Sequence, residues 1–320
     1  MSVLDPAGPQ AGSIASLWWV FEWMSVAVYV IVVAVFIIAT IRAERRFRAE
    51  GAGDPLARDL ARERRMTHVI VLSAATTVLI LFLLLISSIR TGAKLASLED
   101  RPDALAIRIT AHQWWWQIEY SPGDPRRYVS TANELHVPVG RPVHLELTSG
   151  DVIHSFWVPS VHGKKDLIPG RINKTWIEVD EPGVFEGQCA EFCGLEHAKM
   201  RLTIVAESPE AFEKWRHHEQ ETAAPPSTPL EHRGQQVFLG TTCGTCHEIA
   251  GTPAGGRLGP ELTHLAGRTT IGAGAALNNR GNLGGWLLDP QSIKPGIHMP
   301  ATSLSADDFN ALLAYLESLQ

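Results

Sequence analysis

Two short motifs contain all four cysteines of this 320-residue chain, and both have spacing typical of metal ligands. The first is GQCAEFCGLEHAKM at residues 187–200, which brings together Cys189, Cys193, His197 and Met200. Upstream, His154 in DVIHSFWVPS could complete the set. Thiolates and imidazoles suit structural zinc, whereas a methionine thioether is soft and suits copper. Paired thiolates can bridge two coppers, so the loop predicts a dinuclear copper site, with zinc as the alternative.

The second motif, CGTCH at residues 243–247, is the C-x-x-C-H signature of covalent haem attachment. Its spacing lets the thiols of Cys243 and Cys246 form thioethers with the haem vinyl groups while His247 coordinates the iron. A thioredoxin-like or zinc site competes for so short a motif. The flanking segments favour haem, because EHRGQQVFLGTT precedes it as an amphipathic helix and residues 305–319 have apolar side chains at helical spacing.

Two apolar runs near the N-terminus predict a pair of membrane-spanning helices. Residues 24–41 and 69–89 contain no charged side chain, and each run is long enough to cross a hydrocarbon core of about 30 Å. The helices are expected at about residues 18–41 and 68–90. The segment before the first run has no Lys or Arg, which disfavours a signal peptide. Two buried helices of a soluble domain are the alternative.

Arginines between the two runs indicate the orientation of this hairpin. They are Arg42, Arg45, Arg46, Arg48, Arg58, Arg62, Arg64 and Arg65. A short loop rich in arginine stays on the cytoplasmic side. Both termini and everything after Arg90 are therefore expected on the periplasmic side of a bacterial inner membrane. The net charge of −6 does not suggest a nucleic-acid partner.

The rest of the chain divides by composition. Residues 101–207 contain short apolar segments separated by turn signals such as SPGDP, SGD and EPG, which predicts a β-sandwich or barrel. Residues 208–229 combine a short capped helix with the Pro-rich linker QETAAPPSTP, and residues 230–320 hold the haem motif. With the helical hairpin in residues 1–100, the expected fold class is multidomain.

The copper loop carries a specific resemblance to a known family. His154 followed by Cys-x-Glu-x-Cys-x-x-x-His-x-x-Met at 189–200 resembles the CuA loop of cytochrome c oxidase subunit II. HQWWWQIEY and IPGRIN are similar to that family too, and the resemblance covers about residues 15–215. It implies a cupredoxin-like domain with dinuclear copper, CuA. The copper ligands it implies are His154, Cys189, the backbone carbonyl of Glu191, Cys193, His197 and Met200.

The same resemblance implies two further roles and one departure. The side chain at Glu191 helps to bind Mg²⁺ or Mn²⁺ at the interface with the catalytic subunit I. Trp114, the first residue of WWW, matches the aromatic residue at which electrons enter, although core or interface packing explains such rings equally well. Alternation along a strand would put Trp114 and Trp116 on one face and Trp115 on the other. The segment RRMTHVIV at 64–71 lacks the glutamate that many members carry at the mouth of a proton path.

Residues 230–320 resemble a small class I cytochrome c, which implies an all-α domain with one covalently bound haem c. The axial ligands would be His247 and Met299, a pair that raises the reduction potential. His264 is expected to be a surface loop residue, and the Pro-rich linker suggests that the domain swings between donor and copper. Two positions match residues that brace the proximal histidine and the haem propionates, although a turn proline and a core tryptophan would look alike: Pro260 and Trp286.

Together these resemblances imply the subunit through which electrons enter a membrane haem–copper terminal oxidase. Electrons would pass from a c-type cytochrome or a quinol-oxidising complex through haem c to the dinuclear copper, and on to haem in subunit I, where O2 is reduced to water with proton translocation. Further oxidase subunits and membrane lipid are expected partners, and no residue of this chain is expected to perform the oxygen chemistry. The alternatives are the corresponding subunit of a CuA-containing nitric-oxide reductase and a membrane-anchored copper carrier.

Overall fold

The computed structural model describes residues 4–50, 60–97 and 104–320. They fall into two compact units, one within residues 13–98 and one that combines residues of 1–12 with residues of 99–320. Arg58 of the predicted arginine-rich loop lies outside the described residues, as does the predicted domain boundary between residues 100 and 101.

The apolar runs near the N-terminus form two long helices, α1 (Pro9–Glu50) and α2 (Leu60–Ser97). Each contains an 18-residue window of high mean hydropathy, 2.8 in α1 and 3.0 in α2, with none of that window buried. Exposed apolar surface on helices of this length suits a lipid environment. Both helices extend beyond the expected spans of 18–41 and 68–90, because hydropathy marks only the part of a helix that fits in hydrocarbon. At the polar end of α1, Glu44 and Arg48 form an ion pair one turn apart.

Residues 104–207, called the β domain below, contain ten strands in two five-stranded sheets. In chain order the strands are β1 (Leu105–His112), β2 (Trp115–Tyr120), β3 (Val129–Ala132), β4 (Glu134–Pro138), β5 (Val143–Ser149), β6 (His154–Trp157), β7 (Lys165–Leu167), β8 (Asn173–Ile177), β9 (Gly183–Cys189) and β10 (Arg201–Glu207). One sheet has the order β3-β2-β1-β5-β8 and the other the order β4-β10-β9-β6-β7. The pairs β1–β5 and β4–β10 are parallel, and the remaining neighbours are antiparallel.

Alternating side chains of the strands fill the space between the two sheets. Strand β5, with the sequence VHLELTS, buries every second residue, as expected of a strand with one face in a core. Helix α3 (Pro209–Glu219) begins after the N-cap Ser208 and inserts Phe212 into the same core. Large aromatic side chains are fully buried there: Trp116, Tyr120, Phe156 and Phe212. The two-sheet sandwich confirms the predicted β-rich fold.

Residues 229–320, called the helical domain below, contain five helices and a two-stranded ribbon. These elements are α4 (Pro229–Gly240), α5 (Cys243–Cys246), β11 (Thr270–Ile271), β12 (Ala276–Leu277), α6 (Arg280–Leu288), α7 (Pro290–Ile293) and α8 (Ala306–Ser318). Thr228 and Glu231 form a capping box that starts α4. Helices α4 and α8 pack so closely at Gly234 that an added Cβ would lie 2.6 Å from the Cβ of Tyr315. The helical C-terminal domain is confirmed.

The helical domain is docked on the β domain within one compact unit. The N–H of Arg201, the first residue of β10, donates to the carbonyl of Ala273 at 3.0 Å. The buried carboxylate of Glu134 accepts hydrogen bonds from the backbone N–H groups of Thr269 and Thr270 at 2.8 and 3.2 Å. These contacts count against the expectation that the helical domain swings on its linker.

Candidate metal centres

The loop between β9 and β10 carries the first ligand set. Strand β9 ends at Cys189, whose N–H donates to the carbonyl of Met200 at 3.0 Å and so closes the loop at its base. His154 opens the neighbouring strand β6, in which Phe156 pairs with Cys189 across the sheet. A short 3₁₀ helix, His197–Lys199, presents the second histidine. Sheet pairing therefore brings together residues that are 35 positions apart in the sequence.

All the predicted copper-ligand positions converge in one small volume. The Sγ atoms of Cys189 and Cys193 are 3.8 Å apart. His154 Nδ1 lies 3.8 Å from the Sγ of Cys189, and the Glu191 carbonyl oxygen lies 3.2 Å from the same sulfur. On the other side, Cys193 Sγ has two further neighbours, His197 Nδ1 at 3.5 Å and Met200 Sδ at 3.9 Å. Both cysteines are unpaired thiols and are buried, as are His154 and Met200.

The two thiols interact directly with each other. The contact with Cys193 lowers the pKa of Cys189 well below its usual value. The same interaction with the Cys189 sulfur, together with burial, raises the pKa of Cys193. A second thiolate therefore requires a cation that replaces the proton. The two thiols and two imidazoles alone would suit zinc. The additional thioether of Met200, 3.9 Å from the Sγ of Cys193, is a soft ligand and favours copper.

Asp151 orients one of the candidate ligands, and the sequence analysis did not identify it. Its Oδ1 lies 2.8 Å from His154 Nε2, which leaves Nδ1 to face the thiols. Burial alone would raise the pKa of Asp151, but hydrogen bonds from His154 and from the backbone N–H groups of Val152 and Gln113 hold it at about 2. The sequence does contain a hint of this role, because an acidic residue, Asp151, lies three positions before the predicted ligand His154 in DVIH.

The backbone carbonyl and the side-chain carboxylate of Glu191 point in different directions. The carbonyl oxygen faces the Cys189 sulfur, whereas the carboxylate lies at the surface, where Lys164 Nζ approaches it to 3.2 Å. Among the described residues, the Glu191 carboxylate belongs to no group of three or more mutually close His, Cys, Asp or Glu ligand atoms, whereas His154, Cys189 and Cys193 form one. A second metal at Glu191 therefore needs ligands from elsewhere, as the shared Mg²⁺ or Mn²⁺ site implies.

Trp114 contacts the copper loop directly. Its indole Nε1 donates to the Cys193 carbonyl at 3.0 Å, and only 7% of the residue is exposed. It precedes β2, which begins at Trp115. Burial still follows the predicted alternation, because Trp116 is fully buried and Trp115 is half-buried. The surface that Trp114 offers to a free donor protein is therefore small.

The second ligand set occupies the short helix α5 and the residue after it. Cys243 and Cys246 are unpaired and partly exposed, and His247 Nδ1 lies 2.7 Å from the Pro260 carbonyl oxygen. That bond fixes the ring so that Nε2 is available to a metal. The backbone at Gly259 also approaches the ring, since an added Cβ there would lie 2.5 Å from His247 Cε1. Pro260 therefore braces His247 as the resemblance implied.

The remaining predicted residues line the same domain. Met299 and Trp286 are partly buried against its core. Arg268, which the motifs did not point to, forms an ion pair with Glu261 at 3.6 Å. Its buried Nε has no hydrogen-bond partner among the described residues, so this one donor fits the carboxylate of a haem. The prediction for His264 was wrong: the residue is buried, and its ring nitrogens face the carbonyls of Gln320 and Glu221 at 2.6 and 3.2 Å.

Family profiles and similar proteins point to the same family for both domains of the chain. The profile of "Cytochrome C oxidase subunit II, periplasmic domain" matches residues 105–208, and that of "Cytochrome c" matches residues 231–320. Cytochrome c oxidase subunit 2 of Alkalihalophilus pseudofirmus is 34% identical over 331 residues, which cover 100% of this chain and 91% of that protein. The subunit of Bacillus sp. (strain PS3) is 33% identical over 261 residues, 76% of this chain and 72% of that protein. The solved periplasmic domain of subunit II of Bradyrhizobium japonicum cytochrome oxidase is 31% identical, covers 38% of this chain and 96% of its own length, and has a TM-score of 0.35.

The two matched segments coincide with the two domains that present the ligand sets. Copper of the CuA type and haem c are the cofactors that these two families imply, and the residues in each domain fit them. The chain therefore belongs to the cytochrome c oxidase subunit II family, as a member with a C-terminal cytochrome c domain, and is a subunit of a haem–copper oxidoreductase.

Proposed function

We propose that this chain is the subunit through which electrons enter a membrane terminal oxidase, from its helical domain through its β domain to haem in subunit I. When bound, haem c and dinuclear copper supply one-electron carriers, and O2 is reduced to water on subunit I with proton translocation. A c-type cytochrome or a quinol-oxidising complex supplies the electrons. The observation that carries the proposal is the convergence of soft ligand atoms in a buried loop directly beneath the docked helical domain.

In the β domain, the thiolates of Cys189 and Cys193, the imidazoles of His154 and His197, the thioether of Met200 and the carbonyl of Glu191 would hold the two coppers. Because β6, β9 and β10 are neighbours in one sheet, backbone hydrogen bonds fix the ends of the loop at His154, Cys189 and Met200. A rigid ligand set changes little when an electron arrives or leaves, and that favours fast transfer.

In the helical domain, thioether bonds from Cys243 and Cys246 would fix the haem covalently. His247, held by the carbonyl of Pro260, and Met299 would hold the haem iron. The buried Nε of Arg268, which has no hydrogen-bond partner among the described residues, would donate to a haem carboxylate. The residues supply attachment, orientation and exclusion of water, and they do not react themselves.

The exposed carboxylate of Glu191 suggests where the chain contacts subunit I. We place Glu191 at the interface with subunit I, where its carboxylate would share Mg²⁺ or Mn²⁺ with that chain.

The arginines after residue 41 favour the cytoplasmic side of the membrane, which puts both metal domains in the periplasm of a bacterial inner membrane. Exposed Trp18, Trp19 and Trp23 near the start of α1 suit the opposite lipid interface. Although RRMTHVIV lacks a glutamate, Glu63 lies just before it in the first turn of α2.

Electron paramagnetic resonance of the purified oxidase tests the proposal. The wild type should show a mixed-valence signal from two coppers, and the variants Cys189→Ser and Cys193→Ser should lose it. The matched control is Cys243→Ser with Cys246→Ser, which should remove the covalent haem and leave the copper signal. A single exchangeable copper or a zinc ion in the wild type would refute the proposal. Turnover with O2 and with NO separates the terminal oxidase from the nitric-oxide reductase alternative.

A further inference from the structure

Lys294 is a fully buried lysine between the two domains, and its hydrogen bonds go to backbone carbonyls rather than to predicted metal ligands. It follows α7, its residue is 1% exposed, and it lies in the segment that leads to Met299. Its Nζ donates to the carbonyl of Trp114 at 2.7 Å and to the carbonyl of Gly272 at 2.8 Å. One acceptor belongs to the β domain and the other to the helical domain, so a single ammonium group joins them.

Burying this amine is unfavourable unless both hydrogen bonds form. Burial lowers the pKa of Lys294 to about 7. The buried carboxylate of Glu196 and the sulfur of Cys193 oppose that shift, and Lys199 adds to it. A methionine would fill the same space without desolvating a polar group. The two carbonyls are therefore the feature of this site that requires an amine.

Trp114 connects Lys294 to the copper loop. The indole Nε1 of Trp114 donates to the carbonyl of Cys193, a predicted copper ligand, while its own carbonyl accepts from Lys294. The segment after Lys294 lies on the same surface. A Cβ added at Gly296 would be 3.7 Å from the Trp114 ring and 2.9 Å from the side chain of Leu195, which is in the copper loop.

The other contacts between the domains are placed differently. Glu134 binds Thr269 and Thr270, which lie at the start of β11 rather than next to a predicted haem ligand. Lys199 donates to the carbonyl of Ile293 at 2.8 Å, but about half of its side chain is exposed. Among these contacts, that of Lys294 is buried and also adjoins the ligand-bearing segments of both domains.

We propose that Lys294 is a positioning residue for electron transfer between the two domains, because its ammonium group holds the segment leading to Met299 against Trp114. Trp114 is then an internal contact between the domains, and an external donor docks on the helical domain instead. The docking role stands on the geometry alone, whereas its consequence for electron transfer rests on the proposed function.

The test uses the assembled oxidase with Lys294→Met, with Lys294→Arg as the conservative variant, and with Lys174→Met as the matched control, because Lys174 is an exposed lysine of β8. Hydrogen exchange should show that protection around Gly272 and Trp114 falls about tenfold in Lys294→Met, as expected for the loss of two buried hydrogen bonds. The rate of haem-to-copper electron transfer after rapid reduction should fall as well. Lys294→Arg should lie between the wild type and Lys294→Met, and Lys174→Met should match the wild type in both measurements.

Spectra and reduction potentials separate this inference from the proposed function. If the wild type lacks the two-copper signal, the proposed function fails, and the exchange measurement still tests docking. Wild-type protection in Lys294→Met would overturn the positioning role. A slower rate with unchanged protection and a shifted haem or copper potential would also overturn it, because Lys294 would then act only through its charge. If Lys294→Met does not assemble, wild-type protection and rate in Lys174→Met together with a reduction of both in Lys294→Arg support the proposal, and unchanged values in Lys294→Arg refute it.

Discussion

At the scale of single residues, Asp151 holds the imidazole of His154 from the side away from the thiols. Its carboxylate also accepts hydrogen bonds from the backbone N–H groups of Gln113 and Val152, both at 2.6 Å, so its own position is fixed. A histidine ligand held in this way keeps its tautomer and its orientation before any metal arrives. Asp151 therefore contributes to the copper site without being a ligand.

We expect Asp151→Asn to lower copper affinity by about 10–100-fold, because an amide is a weaker partner for the His154 ring than a carboxylate. Copper retained after dialysis against a graded series of chelator concentrations measures the change, and the covalent haem content should stay the same. The control is Asp124→Asn, which alters an exposed carboxylate in a turn of the same domain. Equal copper retention in the Asp151 variant and the wild type would show that His154 needs no such support.

Functional residues were predictable from the sequence where the residues that they contact lie close by in the chain, and were not predictable where those residues lie far away. Most of the copper ligands occupy one stretch of 14 residues, so spacing alone groups them. Lys294 was missed because its acceptor Trp114 is 180 positions away, and no local pattern reports that contact. His264 was misplaced for the same reason, since its partners belong to the linker and to the C-terminus.

At the scale of elements, the contact between α4 and α8 depends on one glycine. A Cβ at Gly234 would overlap the carbonyl of Ala311 and approach the Cβ of Tyr315, so the two helices could not remain at their present distance. We expect Gly234→Ala to destabilise the helical domain by about 1–3 kcal/mol, although alanine is the better helix former. Gly240 lies at the end of the same helix with open space around it and supplies the control, Gly240→Ala.

Urea unfolding of the purified oxidase, followed by the haem absorbance, measures the two variants. The Gly234 variant should unfold at lower urea with a similar slope, whereas the Gly240 variant should unfold with the wild type. Identical urea midpoints for both variants would mean that α4 and α8 can move apart without lowering the free energy of unfolding.

One change of sheet in the β domain is not visible in the sequence pattern. The segment YVSTANELHVP predicts a single strand, yet the chain divides it at Asn133 into β3 and β4, which belong to different sheets. Asn133 has a φ of 66°, a conformation that asparagine tolerates better than most residues. Its side chain accepts from the N–H of Trp116 at 2.9 Å, which anchors the crossing. Apolar alternation continues through this point, so periodicity alone does not reveal the change of sheet.

At the scale of the whole molecule, the order of the domains was predictable and their docking was not. A Pro-rich linker predicts separated domains. The composition of a linker, however, does not report whether the two domains that it joins bind each other. The structure instead shows buried charged groups from both sides, Lys294 in the helical domain and Glu134 in the β domain, each bonded across the interface. Part of the linker is itself attached, because the N–H of Ala223 donates to the carbonyl of Ala250 at 3.0 Å.

If direct contacts hold the domains together, the length of the linker should matter little. Inserting about ten Gly and Ser residues between Pro225 and Pro226 roughly doubles the linker, which costs about 0.6 kcal/mol of closure entropy, a change of less than about threefold in the docking equilibrium. We therefore expect haem-to-copper electron transfer in the assembled oxidase to change by less than that factor and to be insensitive to added viscogen. Lys294→Met, which leaves the linker intact, should have the larger effect. A tenfold loss on insertion, or a rate that falls in proportion to viscosity, would instead mean that the domain must diffuse to the copper loop before each transfer.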